Sequence, residues 1–171
     1  MLRNFLYFLL SLPIILLVFS FGFNYTVPLL LSNKTEIVIN TTNNLCYPLQ
    51  TFDFQKGSWA VYLVLSNEDK KNFQKIIPSM ERNVLCTNDR KVLEDIKKVP
   101  FRKTGGDMAT VTSYLCVEEN NQVVATLPIA ITEQYCGFQL RGYGWLEASS
   151  SNMKEHLQQF KPVYFPIVLL W

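Results

Sequence analysis

No charged residue falls between positions 5 and 23, where Ser11, Pro13, Ser20 and Gly22 are the only breaks in an apolar run. A helix of roughly 19 residues rises about 28 Å, close to the ~30 Å hydrocarbon core of a bilayer. Arg3 and the α-amino group precede the run, and the next basic residue is Lys34. That asymmetry places the amino terminus in the cytoplasm and the bulk of the chain outside. The sequence therefore predicts an N-terminal signal-anchor over residues 1–31, a single-pass transmembrane helix. Residues 32–171 then form one extracytoplasmic domain, in the periplasm against a bacterial inner membrane. The rival fate is cleavage after Gly22, because Ser20-Phe21-Gly22 satisfies a small-x-small site, and cleavage would leave a secreted protein. Bulky Phe19, Phe21 and Phe23 crowd that site, so the retained anchor is the reading carried forward.

Export sets the reading of the cysteines. Cys46, Cys86, Cys116 and Cys136 are even in number and widely spaced, with no CxxC among them. In an oxidising compartment two disulfide bonds follow, with three possible pairings. The other reading is four buried thiols packing as small hydrophobes. Asn24, Asn33 and Asn40 head glycosylation sequons, which matter only in a eukaryotic host. Frequent Asn and Lys with few Gly fit a bacterium.

About 140 residues beyond the anchor is the size of one domain with a real core. Sixteen basic against fourteen acidic side chains leave the chain near neutral, which argues against nucleic acid as a partner. The pattern is α+β: a mainly antiparallel sheet with about three helices behind the N-terminal one. Residues 35–40 alternate as a first strand, and residues 58–66 are apolar on both faces, as in a covered central strand. Ser66 opens a capping box, followed by Phe73, Ile76, Ile77 and Met80 at helical spacing before Pro78 interferes. A second helix runs over residues 89–98, with Val92, Leu93 and Ile96 inward.

Strands follow at residues 110–118 and 122–131, joined by Asn120-Asn121, both tolerant of positive φ. Apolar positions are odd on both strands, whereas a two-residue turn pairs odd with even. An odd-length loop or a bulge near residues 119–122 resolves the conflict. Residues 138–147 read as one strand loosened by Gly142 and Gly144, and a last helix carries Met153, Leu157 and Phe160. The tail, residues 162–171, is too short to span a bilayer. It reads as a terminal strand with Val163, Phe165, Ile167, Leu169 and Trp171 on its buried face. The alternative is an exchangeable edge strand that adds to a partner's sheet, and Pro166 favours an edge.

Chemistry is thin, and no cofactor or metal site is expected. His156 is the single histidine, near Ser149, Ser150 and Ser151, but no nucleophile elbow accompanies it. Residues 103–107 hold two glycines without P-loop spacing. Glu118 and Glu119 are strand neighbours whose side chains diverge, which makes a poor acid–base pair. Lys97, Lys98, Arg102 and Lys103 form a local basic cluster at a helix end. Arg141, Tyr143 and Trp145, with Gln139, would share one strand face as a mixed aromatic and basic interaction surface. These features predict a non-catalytic, membrane-tethered binding or accessory protein, either an envelope-complex subunit or an immunity-type inhibitor. Its partners would be the membrane, through the N-terminal helix, and a protein. The alternative is an exported small hydrolase using His156 with a nearby serine.

Overall fold

The computed structural model describes residues 2–31, 37, 39–42, 44–78, 80–105, 111–150 and 152–171, with the backbone alone at residues 2–6, 8–10, 19, 40 and 42. The chain opens with helix α1 (Leu2–Gly22), which contains Pro13. Among the described residues no helix is long and apolar enough to cross a membrane, which corrects the expected transmembrane anchor. A local reason lies at the end of α1, whose last turn is built into the folded domain. Ser20 is buried, its hydroxyl accepts from Arg82 Nη1 at 2.8 Å, and its carbonyl accepts from the Tyr25 N–H at 3.1 Å. The apolar residues after it leave the helix altogether. Val27–Leu30 forms strand β1, in a stretch that the sequence assigns to the anchor.

Ten further strands make one antiparallel sheet. In chain order they are β2 (Asn40–Thr42), β3 (Leu45–Tyr47), β4 (Trp59–Val64), β5 (Val84–Thr87), β6 (Phe101–Lys103), β7 (Ser113–Glu119), β8 (Gln122–Ile131), β9 (Cys136–Leu140), β10 (Gly144–Ala148) and β11 (Lys161–Pro162). Their spatial order is β11-β5-β4-β7-β8-β9-β10-β6-β3-β2. Of the strand expected at residues 35–40, Asn40 opens β2, while residues 32–36 and 38 lie outside the described residues. The double-sided apolar pattern of β4 has its counterpart in the fold, since Val61 and Leu63 face one core and Val64 the other.

One face of the sheet is covered by α2 (Asn67–Ile76), α3 (Arg90–Lys97) and α4 (Asn152–Leu157). Ser66 caps α2 by accepting from the Asp69 N–H at 3.1 Å, and Asp89 caps α3 by accepting from the Lys91 N–H at 2.8 Å. Phe73, Val92, Leu93, Ile96, Met153 and Leu157 then bury against the inward residues of the strands. Hairpin β7–β8 turns through Asn120 and Asn121 at φ 52° and 63°. Glu119 pairs with Gln122 and Glu118 with Val123, but Val117 pairs with Ala125. Val124 is thus the extra residue, and the bulge brings Val117, Leu115 and Ser113 opposite Ala125, Leu127 and Ile129 on one face. The strand expected over residues 138–147 is instead a hairpin. Gly142 and Gly144 take φ 82° and 76°, and the chain reverses between β9 and β10.

The expected disulfides are also corrected, because all four cysteines are free. Cys86 and Cys116 both sit opposite Tyr62, on the two strands that flank β4. Two strand spacings are about 9.5 Å, beyond the ~7 Å reach of a bridge. Cys46 and Cys136 lie on β3 and β9, with β10 and β6 between them.

Candidate functional site

The second face of the sheet is covered by the two ends of the chain. Strand β12 (Ile167–Leu170) pairs in parallel with β1, setting Val27 beside Ile167 and Leu29 beside Leu169. Val168 and Leu170 point down onto Val64, Val84, Cys116 and Val123, and Leu30 packs beside them. Of the tail only Pro162 joins the main sheet, in β11, while residues 167–170 form the ribbon and their buried parity is the even one. Leu169 and Trp171, expected inward, are 51% and 59% exposed, and Phe165 is 71% exposed.

A buried polar node ties this ribbon to the domain. Asn83 is fully buried; its Oδ1 accepts from the Thr26 N–H at 2.8 Å and its Nδ2 donates to the Thr26 carbonyl at 2.9 Å. One amide thus satisfies both backbone groups of the residue that precedes β1. The Thr26 hydroxyl donates to the Val163 carbonyl at 2.8 Å, joining the two arms. Arg82 is 2% exposed, lies 5.5 Å from the Phe21 ring and 5.1 Å from the Tyr164 ring, and has Nε without a hydrogen bond. Its charge and, more strongly, burial depress the Lys70 pKa.

Beneath the ribbon lies a row of polarizable side chains, Cys86, Tyr62, Cys116 and Thr126, on four adjacent strands. Glu118 stands two residues along β7 from Cys116 and is 6% exposed. Burial raises its pKa, and burial also pushes the Cys86 and Cys116 thiols up to about 11 and about 12. Such thiols are almost wholly protonated at neutral pH and make poor nucleophiles. Among the described residues no group of three His, Cys, Asp or Glu is placed to hold a metal.

The outer side of the ribbon is different in kind. Leu29, Leu31, Leu169 and Trp171 all face outward, with Tyr164 and Phe165 at its base and Phe21 and Phe23 at the end of α1. None of these side chains is charged.

The residues singled out in the sequence are dispersed. Arg141 is exposed in the β9–β10 turn, Tyr143 packs on the helix-covered core, and Trp145 is buried on the opposite face. The Trp145 ring lies so close to Gly137 that a Cβ there would come within 2.6 Å of it, and Tyr135 meets the ring edge-on at 5.9 Å. His156 sits on α4 with Nδ1 buried and without a hydrogen bond. Ser149 donates its backbone N–H to the Pro100 carbonyl, and Ser151 lies outside the described residues. The basic cluster is divided: Lys97 pairs with Glu94 and Lys98 with Asp95, each at 3.8 Å, while Arg102 and Lys103 belong to β6. Of the glycine turn at residues 103–107, positions 106 and 107 lie outside the described residues. Sequence reasoning missed Asn83 and Arg82, which carry no periodic or motif signal. It also missed the outer apolar face, whose signal was present in the unbroken apolar runs at residues 27–31 and 162–171.

No family model matches the chain, and no curated protein or solved structure matches it either.

Proposed function

We propose that this protein is a non-catalytic binding module that engages a protein partner through the outer face of the β1–β12 ribbon. One observation carries the reading: Leu29, Leu31, Phe165, Leu169 and Trp171 form an uncharged face open to solvent. Contiguous exposed apolar surface of this kind marks an interaction site, and buried aromatic anchors such as Trp dominate binding energy. The node at Asn83 and Arg82 supports the same reading, because it holds the ribbon in place from below and leaves its upper side to a partner. Cys116 and Glu118 are buried beneath the ribbon, and burial keeps the Cys86 and Cys116 thiols protonated, which makes them poor nucleophiles and fits a non-catalytic role.

The test is site-specific photo-crosslinking in the cell, with a photoreactive residue at position 31 or 169 and a control at the exposed position 158. A discrete protein adduct is expected from the ribbon positions alone. His156→Ala should leave that adduct unchanged. Equal labelling from position 158, or loss of the adduct in His156→Ala, would overturn the proposal.

A further inference from the structure

Resting on that reading, we infer that the partner supplies an extended strand that adds to the free edge of β12. In a parallel pair, alternate residues of each strand turn their N–H and C=O toward the neighbour. Val27 donates to the Pro166 carbonyl at 2.9 Å and Leu31 to the Leu170 carbonyl at 2.7 Å. Residues 27, 29 and 31 of one arm therefore face residues 168 and 170 of the other. The N–H and C=O groups of Ile167 and Leu169 then project from the opposite edge of β12. Among the described residues neither strand of the ribbon pairs with a third, and at the end of this edge the Trp171 carbonyl accepts from the Val123 N–H, which leaves Ile167 and Leu169 as its open positions.

The two free edges are not equivalent. The outward positions of β1 are residues 28 and 30, and Pro28 has no N–H to offer, a common way of blunting an edge. β12 reads Ile-Val-Leu-Leu, without proline or charge. An unprotected edge of this composition is a template for strand addition, in which backbone hydrogen bonds give affinity and alternate side chains give selectivity. The occupant is thus a segment with apolar residues on alternate positions, able to lie beside Ile167 and Leu169. A lipid surface fits less well, because hydrocarbon cannot satisfy the open backbone groups of Ile167 and Leu169.

The experiment measures amide hydrogen exchange in the full-length protein, using a capped peptide of alternating valine and threonine as the probe. Strand addition should slow exchange at Ile167 and Leu169 by about ten-fold or more, with little change in the β1 amides. A fully N-methylated version of the peptide should give no protection. Leu169→Pro, which removes one outward N–H and replaces an already exposed side chain, should abolish protection while keeping the thermal midpoint of the parent. Equal protection by the N-methylated peptide would overturn strand addition and leave the apolar contact of the proposed function standing. Protection by neutral phosphatidylcholine vesicles but not by the peptide would overturn both and put lipid in the partner's place. Absence of protection by every probe would also overturn the strand.

Discussion

Glu118 is a carboxyl set among weakly polar neighbours, with Cys116 on its own strand, Tyr62 and Cys86 across the sheet, and the ribbon above. The unfolded chain ionises this residue near the ordinary glutamate value of about 4.3, whereas burial raises its pKa in the fold. Below the ordinary value both states hold the proton, and burial of the neutral acid carries no charge penalty. As pH climbs from there through the raised folded value, the unfolded state releases its proton first and the fold loses stability. Glu118→Gln removes that window, so the variant should unfold at a higher temperature than the parent at neutral pH and with it at about pH 3. The gap should widen steadily between those two pH values, because burial disfavours only the ionised carboxylate. Parallel melting curves from about pH 3 to about pH 8 would show the argument to be wrong. That Glu118 and Glu119 diverge was legible from strand alternation alone. That the Glu118 side is covered was not, because the cover comes from residues far away in sequence.

At the scale of elements, legibility followed how strongly alternation specifies a phase. Hairpin β7–β8 has clear polar and apolar parity, and the parity conflict across its turn called for an odd-length loop or a bulge near residues 119–122; the bulge lies a little farther along, at Val124. The tail has no such contrast, since Ile167, Val168, Leu169 and Leu170 are all apolar, and either parity could face inward. The run at residues 27–31 shares that ambiguity, and its continuity with α1 disguised a strand as part of an anchor. The ribbon's contribution can be measured by deleting residues 167–171. Val168 and Leu170 lose their burial, at about 1.5–3 kcal/mol each, so stability should fall by roughly 3–6 kcal/mol. The main sheet has its own core beneath α2, α3 and α4, so the shortened chain should keep a cooperative transition and its far-ultraviolet circular dichroism. A truncated protein without any transition would show that the two faces form a single unit.

For the whole molecule, the sequence pointed to the class of fold more surely than to its setting. The counts that suggested two bridges say nothing of distance across a sheet, and the widely spaced cysteines landed on strands too far apart to join. The extracytoplasmic location expected from the sequence leaned on those bridges and on the N-terminal span, and the fold lends it no support. Free thiols make a direct prediction. Denatured without reductant, the protein should release four titratable thiols per chain, and reductant should leave the native melting temperature unchanged. In the native state Cys116 and Cys136 should alkylate slowly, since burial pushes both up to about 12. Fewer than four thiols in the unreduced, denatured protein would overturn the claim.

The parallel pairing of β1 with β12 also sets an order of events during folding. Thr26 and Val163, which its polar node joins, stand 137 residues apart. A contact of that separation costs more loop entropy than the hairpin pairings of the main sheet and forms late. On a ribosome, β1 emerges early and must wait, unpaired, while every strand of the main sheet is made. During that interval the second face of the sheet, with Cys116 and Glu118 on it, is bare and open to water or to a chaperone. Closure of the ribbon is therefore the step at which a nascent chain hides one surface and, in the same movement, assembles the one by which it would be recognised.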